Sequence, residues 1–243
     1  MASRTRLGLP LAAFMLTSPH AAADALDTLE VGLTVQGLGG ASYTGTPDVL
    51  RADVEGVSVE PVPYEGWWGA SGGGGLGAEA RLWQWLGLEL GVMLTQDNGD
   101  EEMGDGDLHG ENLSLHLPFA VKLVAPVRGL RPLLLLGFES VVPLATRATY
   151  GSSALEVTAH AEPYVLVHGG LGFELDLPIE GIDLRVPFVF HLGFDPAARD
   201  DLRDKATYGG RRAGPTAIVE RVDFDLAYDA HVYFTTGLTW FVR

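Results

Sequence analysis

The feature that most constrains this chain is an alternation of apolar and polar residues with a period of two, which recurs in eight segments. Because successive side chains of a β-strand point to opposite faces of a sheet, this period predicts strands rather than helices. The clearest segment spans 113–123, where every odd-numbered residue is Leu, Phe or Val. The other segments lie near 28–36, 75–82, 86–94, 133–141, 165–176, 183–194 and 231–242. No apolar face carries a charge within these segments, so the sequence predicts eight half-apolar strands.

The connections between these strands alternate in length. Those around 83–85, 126–131 and 178–181 are tight, whereas those after the first, third, fifth and seventh strands are long, polar and rich in glycine. Both chain termini fall on the side of the tight turns. Short periplasmic turns and long external loops are typical of outer-membrane barrels. We therefore predict an all-β, eight-stranded antiparallel up-and-down transmembrane β-barrel, with ten strands as the alternative if the first long loop forms a hairpin.

Alternation alone does not decide which face of the sheet points outward. A soluble, lipocalin-type barrel would show the same pattern with its apolar face inside, and it is the alternative fold. Lysine, which is common on solvated strands, occurs only at Lys122 and Lys205, and glycines crowd the polar faces. Tryptophans fall at both predicted membrane interfaces, where amphipathic rings are enriched. These tryptophans are Trp67 and Trp68 externally and Trp83, Trp85 and Trp240 near the periplasm. The membrane orientation, apolar side outward, is the prediction.

The first residues resemble a targeting segment rather than part of the fold. Arg4 and Arg6 precede a short apolar run and a stretch of small residues. This order is typical of a secretory signal, so we predict a cleaved leader over 1–23 and a barrel domain over 24–243. Removing the leader takes away two arginines and no acidic residue, which lowers the formal net charge from −16 to −18. Such a charge argues against nucleic acid as a partner, and the absence of cysteine excludes disulfides and thiolate chemistry.

The C-terminal segment carries a resemblance to a known signal. Thr235, Gly237, Trp240 and Val242 stand where the outer-membrane assembly signal has a polar residue, a glycine, an aromatic and a hydrophobic residue. The departures are Val242, where an aromatic is usual, and the residue that follows it. Together with the segment 115–123 and the Arg-Pro pair at 131–132, this pattern resembles the OmpA-type and OmpX-type small outer-membrane barrels. The resemblance implies a monomeric protein of the cell outer membrane whose partners are outer-membrane lipid and the assembly machinery.

That family hosts several functions, so the fold does not give the function. We predict a structural or loop-mediated surface-interaction role. The alternative is a passive conduit or transporter for a small solute, which side chains inside an eight-stranded barrel hinder. A lipid- or peptide-processing enzyme is the third possibility. We predict no enzyme and no cofactor, because no histidine stands in the His-x-Ser arrangement expected of a deacylase.

Four histidines are predicted to face the lumen at a similar height: His116, His168, His191 and His231. Imidazoles gathered at one level could ligate a metal ion or sense pH. The alternative is that they are buried hydrogen-bonding residues. A second candidate is the acidic, glycine-rich segment 97–107, whose oxygen atoms could bind calcium, or which is a solvated external loop.

The hairpin of the sixth and seventh strands gives a testable register. If its turn centres between Ile179 and Glu180, Glu174 lies opposite Arg185, and the two form an ion pair in the lumen. The same register places His168 opposite His191. Pro118 and Pro187 lie within predicted strands and lack an N–H for the ladder, so we predict a local bulge at each.

Overall fold

The computed structural model describes residues 29–60, 62, 64, 66–103, 106–151, 155–198 and 201–242. The predicted leader over 1–23 therefore lies outside the described residues. The strands, in chain order, are β1 (Glu30–Thr44), β2 (Ala52–Val54), β3 (Val57–Val59), β4 (Trp67–Leu82), β5 (Leu86–Met103), β6 (Gly106–Val124), β7 (Leu130–Tyr150), β8 (Glu156–His160), β9 (Tyr164–Ile179), β10 (Ile182–Phe194), β11 (Ala206–Ala213), β12 (Thr216–Asp225) and β13 (Ala230–Val242). A single turn of helix, α1 (Leu202–Lys205), precedes β11.

Eight of these strands close into an antiparallel barrel in the order β1-β4-β5-β6-β7-β9-β10-β13. The ring closes between the first and last strands, where Val31 lies opposite Val242 and Tyr43 lies opposite Ala230. All eight predicted segments fall on these eight strands. The first long loop does contain a hairpin, β2–β3, but it forms a sheet of its own, so the barrel has eight strands and not ten.

The two faces of the barrel differ as the alternation predicts. Most apolar residues of the strands point outward and are exposed, among them Val31, Leu33, Val35, Leu76, Leu88, Leu90, Val92, Leu117, Val121, Leu134, Leu136, Phe138, Leu171, Phe190, Leu192, Phe234, Leu238 and Trp240. A smaller set, including Leu133, Leu135 and Val189, is buried inside. The opposite face buries charged and polar side chains in the lumen. This arrangement is the reverse of a lipocalin-type barrel, whose apolar face lines the interior.

Pro118 and Pro187 interrupt hydrogen bonding without shifting the register. Pairing of β5 with β6 lapses next to Pro118 and resumes in the same register, and pairing of β10 with β13 does the same at Pro187. The predicted bulges at these prolines are therefore wrong. The only register shift found along the described barrel ladders lies between Leu113 and Ser114, where β6 pairs with β7.

Several barrel strands continue beyond the end of the barrel at which the long connections lie, and they carry a cap there. The cap contains the hairpin β2–β3 and a three-stranded sheet in the order β11-β12-β8, in which β12 and β8 run parallel. Its core is apolar and is formed by Val54, Val62, Tyr64, Trp67, Leu108, Leu202, Ala206, Tyr208, Val222, Phe224 and Leu226. Trp67 is 1% exposed in this core, so its predicted place at the lipid interface is wrong, whereas the neighbouring Trp68 is 68% exposed.

The acidic segment 97–107 also belongs to these extensions. Its described residues complete β5 and begin β6, which pair with each other from Asp97 and Asn112 up to Met103 and Gly106. The expectation of an open loop is therefore wrong for the residues that the structure describes. Within the described ranges, no helix combines the length and the apolar character that crossing a membrane requires.

Candidate functional site

The half of the lumen nearest the short turns is filled by a cluster of ion pairs around Arg81. The Arg81 guanidinium donates from Nη1 and Nη2 to the two carboxylate oxygens of Glu174, at 2.8 and 2.6 Å, and from Nε to Glu79 at 2.6 Å. Lys122 Nζ donates to Glu79 at 3.0 Å and to Glu89 at 3.1 Å, and lies 3.0 Å from Glu174. These five residues come from four strands, so the cluster ties opposite walls of the barrel together.

The predicted ion pair between Glu174 and Arg185 is wrong. Gly181 has a φ of +77°, a conformation that glycine adopts readily, so the turn is Glu180–Gly181 and Ile179 lies opposite Ile182. Arg185 thus faces Asp176, and Glu174 faces Pro187. The shift of two residues preserves the face on which each side chain lies, so both remain in the lumen but with other partners.

Arg185 belongs to a second charged group at the base of the lumen. Its guanidinium donates to Glu30 at 2.9 Å and to Asp183 at 2.8 and 2.9 Å. The ring of Phe241 lies between the two buried arginines, 3.9 Å from Arg185 Cζ and 4.8 Å from Arg81 Cζ. Cation–π contacts of this kind stabilise desolvated guanidinium groups. Ion pairs and one aromatic ring therefore fill the end of the barrel nearest the short turns.

A network of side-chain hydrogen bonds fills the half of the lumen nearest the cap. His116 binds Glu139 through Nδ1 and Thr95 through Nε2, the latter at 2.7 Å, and Tyr233 donates to Glu139 at 2.7 Å. The ring centre of His116 lies 5.8 Å from that of His231.

His231 makes a contact that could suggest catalysis. Its Nδ1 lies 3.1 Å from the hydroxyl of Ser42, the spacing of a nucleophile and its base. The other ring nitrogen lies 3.0 Å from the Tyr164 hydroxyl. Ser42 and His231 are 1% and 3% exposed, so no substrate reaches the hydroxyl in this conformation. Sequence reasoning missed this pair because 189 positions separate the two residues.

The four candidate histidines lie in the lumen but form two pairs rather than one group. His116 contacts His231, and His168 stacks on His191 with ring centres 5.9 Å apart. The predicted direct opposition of His168 and His191 is wrong, since their strand partners are Gly193 and Gly170. Among the residues that the structure describes, no three His, Cys, Asp or Glu side chains are grouped to hold a metal ion. A four-histidine metal site is therefore not formed.

Lys205 holds the cap to the external rim of the barrel. Its ammonium donates to the backbone carbonyl of Gly45 and to Asp229, each at 2.7 Å, and its side chain is almost fully buried. It therefore connects the segment after β1 with the segment before β13. In that second segment, burial raises the pKa of the Tyr228 phenol, and the carboxylates of Asp97 and Asp100 raise it further.

The cap presents a groove of about 1050 Å³ between the β2–β3 hairpin and the segment 201–208. Three aspartates, Asp48, Asp53 and Asp201, share its lining with two arginines, Arg51 and Arg203. The groove thus offers hydrogen-bond donors and acceptors together with apolar surface. Nothing in the alternation pattern pointed to it, because it is formed by loops.

The residues of the predicted assembly signal lie on β13. Trp240 and Val242 point outward and are about half exposed, whereas Thr235 is buried and lies 3.0 Å from His191 Nε2. At Gly237 a Cβ atom would come within 2.1 Å of the Val35 carbonyl oxygen, so the close strand contact requires glycine there. The role of these residues in assembly stays a prediction.

Comparison with known proteins does not assign the chain to a family. No protein-family model matches the chain, and a search of curated proteins finds no significant match. Among solved structures, the outer membrane protein OprG from Pseudomonas aeruginosa is similar to this chain, with 14% sequence identity and a TM-score of 0.49. That alignment covers 88% of this chain and 96% of the OprG chain.

Proposed function

We propose that the protein is an integral β-barrel of a bacterial outer membrane, with an external cap that interacts with partners at the cell surface. The observation that carries this proposal is the inverted distribution of side chains in the barrel wall. Apolar residues cover the outside, and Arg81, Lys122 and Arg185 are buried inside with their carboxylate partners. A water-soluble protein rarely exposes an apolar patch of more than a few hundred Å², whereas a barrel in lipid requires an apolar band.

The closed ring supports the same conclusion through its hydrogen bonds. In lipid, each backbone N–H and C=O group requires a partner within the protein, and a closed barrel provides one because it has no edge strand. The pairing of β1 with β13 completes the ring along its full length. The orientation follows from the connections: the short turns and the described ends of the chain lie at one end, which we assign to the periplasm.

Electrophoretic migration before and after boiling tests membrane insertion. We expect the mature protein, refolded from urea into detergent micelles, to migrate differently unheated and heated, because the folded barrel resists SDS. In a matched experiment without detergent, we expect the protein to aggregate rather than fold. A soluble, folded monomer obtained without detergent would contradict the proposal.

Surface interaction rather than conduction is the proposed role because both ends of the lumen are filled. Arg81, Phe241 and Arg185 occupy the periplasmic end, and the apolar core of the cap covers the external end. Planar-bilayer recordings on the refolded barrel separate the two roles. We expect no stable conductance step. Reproducible single-channel openings would favour the alternative, a conduit for a small solute.

The proposed role is non-enzymatic and monomeric, with outer-membrane lipid and the assembly machinery as partners. Two adjacent residues on β13 test the assembly signal. Trp240→Asp places a charge on the lipid face, whereas Phe241→Asp places one between two guanidinium groups in the lumen. We expect the first change to reduce the amount of folded protein in the outer membrane far more than the second. Equal losses would contradict the assigned role of Trp240.

A further inference from the structure

The groove in the cap lies along the edge of a β-sheet. Ala206 and Thr207, at the start of β11, line one side of it, and Ala52 and Asp53, on β2, line the other. β11 is the terminal strand of its three-stranded sheet, because among the described strands it pairs with β12 alone. The edge of a sheet presents a row of backbone N–H and C=O groups with which a further strand can pair. The groove therefore lies where a peptide can extend the sheet of the cap.

Two hydrogen bonds mark the ends of this edge. The N–H of Ala206 donates to the Leu202 carbonyl in α1. At the other end of β11, the N–H of Arg212 donates to the Glu55 carboxylate at 3.1 Å, at the tip of the β2–β3 hairpin. Both N–H groups thus point away from β12, toward α1 and the hairpin. The backbone between them, which begins at Thr207, is the part of the edge that a partner strand can reach.

The lining of the groove is acidic. Three exposed carboxylates line it, those of Asp48, Asp53 and Asp201. Asp48 and Asp53 form no ion pair within the part of the chain that the structure describes. Of the two arginines in the lining, Arg51 is paired with Glu60, so Arg203 remains as the opposing charge. The groove therefore carries an excess of negative charge, which complements a cationic ligand.

The same lining disfavours other classes of ligand. Sugars bind best on the face of an exposed aromatic ring, but Tyr208, the aromatic residue of the described lining, is only 8% exposed. Nucleic acid is repelled by carboxylates. A metal ion is disfavoured as well, since the described residues contain no group of three His, Cys, Asp or Glu side chains placed to hold one. A polypeptide with basic side chains remains.

The size of the groove fits a short extended segment. Its volume of about 1050 Å³ is comparable to that of pockets that hold drug-sized ligands. A peptide that adds to a sheet edge gains affinity from its backbone hydrogen bonds and specificity from the contacts of alternate side chains. Val49 is 57% exposed at the groove and offers an apolar contact, and Ser58 offers a hydroxyl.

We propose that the groove binds an extended, basic peptide segment of a partner protein, which pairs with the edge of β11 as an additional strand. Its Lys or Arg side chains lie near the carboxylates of Asp48 and Asp53. The inference names the partner chemistry of the surface role proposed above and rests on that role, because the groove belongs to the cap.

Fluorescence anisotropy with a synthetic peptide tests the proposal. The probe is a labelled heptapeptide of alternating Lys and Thr with blocked ends, and it is titrated with the mature protein refolded into a non-ionic detergent. We expect saturable binding that weakens as salt is raised, because exposed charges are screened. A heptapeptide of alternating Glu and Thr and a neutral oligosaccharide should not compete.

Asparagine variants locate the binding site. Asp48→Asn and Asp53→Asn each remove one exposed carboxylate and nearly conserve its volume. Each should weaken binding by about two- to fivefold, as the loss of an exposed ion pair does, and the double variant should weaken it more. The charge-matched control is the double variant Asp107→Asn with Glu156→Gln, which removes two exposed carboxylates of the cap outside the groove. The control should bind the probe like the wild type.

Two N-methylated probes test strand addition. One carries methyl groups on the backbone nitrogens of its odd-numbered residues and the other on those of its even-numbered residues. Because a strand donates N–H groups to one neighbour from every second residue, at least one of these probes should lose more than about tenfold in affinity. Equal affinity of both methylated probes and the parent peptide would overturn the pairing with β11.

The remaining outcomes separate this inference from the proposed function. A heat-modifiable barrel that does not bind the Lys–Thr probe would overturn the inference alone. Equal losses in the groove variant and the charge-matched control, or competition by the neutral oligosaccharide, would do the same. A protein that never forms the heat-modifiable species in detergent would overturn the proposed function together with this inference.

Discussion

The barrel and its cap bury opposite kinds of side chain within one chain. The barrel encloses Arg81, Lys122 and Arg185 and exposes most of its leucines and valines, whereas the cap encloses Tyr64, Trp67 and Phe224. The two regions meet at the external rim, where Lys205 binds Gly45 and Asp229. Each region thus has its own kind of interior.

If the barrel wall lies in lipid, as we propose, burial in each region follows the solvent around that region. In water, apolar burial is the main favourable contribution to folding, and the cap has the apolar core that this requires. In contact with lipid tails, an apolar outer wall carries no free-energy penalty, and the polar groups of the barrel must find partners within the protein. The barrel interior therefore contains hydrogen bonds and ion pairs beside a small apolar cluster that includes Leu133, Leu135 and Val189, whereas the core of the cap is apolar.

The largest expected effect comes from removing the central guanidinium of the lumen. Arg81→Ala leaves Glu79 and Glu174 buried with Lys122 as their remaining ion-pair partner among the described residues. We expect a loss of about 3–5 kcal/mol in the free energy of unfolding, because an uncompensated buried charge remains. Urea titration of the refolded barrel in detergent measures it. A loss below about 1 kcal/mol would mean that water solvates the lumen.

In the cap, the corresponding test removes an aromatic ring. Phe224 is fully buried and contacts the rings of Tyr64 and Trp67 at centroid distances of 5.8 and 5.1 Å. Phe224→Ala should weaken the cap core by about 3–5 kcal/mol. We expect faster amide exchange in β11 and β12 and easier proteolysis of the cap, while the barrel keeps its heat-modifiable migration. Simultaneous loss of the barrel would show that cap and barrel unfold as one unit.

A charge on the outer wall should cost somewhat less. Leu136 is 64% exposed on the outer face of β7, and Leu136→Arg should destabilise the barrel by about 2–4 kcal/mol in a lipid bilayer. Ile218→Arg is the matched control, because Ile218 is an exposed apolar residue of the cap, which we place in water. It should change the free energy of unfolding by less than about 0.5 kcal/mol. Equal costs at the two positions would contradict the assignment of the barrel wall to lipid.

The smallest expected effect is at an ion pair on the surface of the cap. Arg211 Nε donates to Glu220 at 2.6 Å, but about half or more of each side chain is exposed. Arg211→Ala should therefore cost about 0.2–1 kcal/mol, which salt would reduce further. A cost that approaches that of Arg81→Ala would mean that this pair is shielded by something bound to the cap. Urea titration at low and high salt measures the difference.

The fold was largely predictable because its strongest signal is local. The period of two fixed the face of nearly every strand residue, including the run of leucines in β7, where Gly137 and Glu139 identify the inward positions. The tight turns were also placed to within a few residues. The predicted register of the β9–β10 hairpin was wrong by two residues. The position of the turn depends on which residue adopts a positive φ, and that residue is Gly181.

The candidate sites were less predictable because their partners are distant in sequence. Arg81 and Glu174 are separated by 93 positions, and the stagger of the closed sheet decides that they meet. The sequence did place Arg81 at an inward position of a predicted strand, which indicates a buried cation. Nothing near Arg81 in the sequence indicates which carboxylate pairs with it. Similarly, the four inward histidines were identified, whereas their division into two pairs was not.

The sequence by itself thus determined a membrane-type alternation, the number of barrel strands and the polarity of each face. These follow from neighbours along the chain, since a strand places every second side chain on the same side. Only the tertiary structure decided which buried charges pair, that His168 and His191 share a cavity with Met93, and that loops assemble an apolar core above the barrel. Those contacts join residues far apart in the chain, and barrel closure, rather than local periodicity, brings them together.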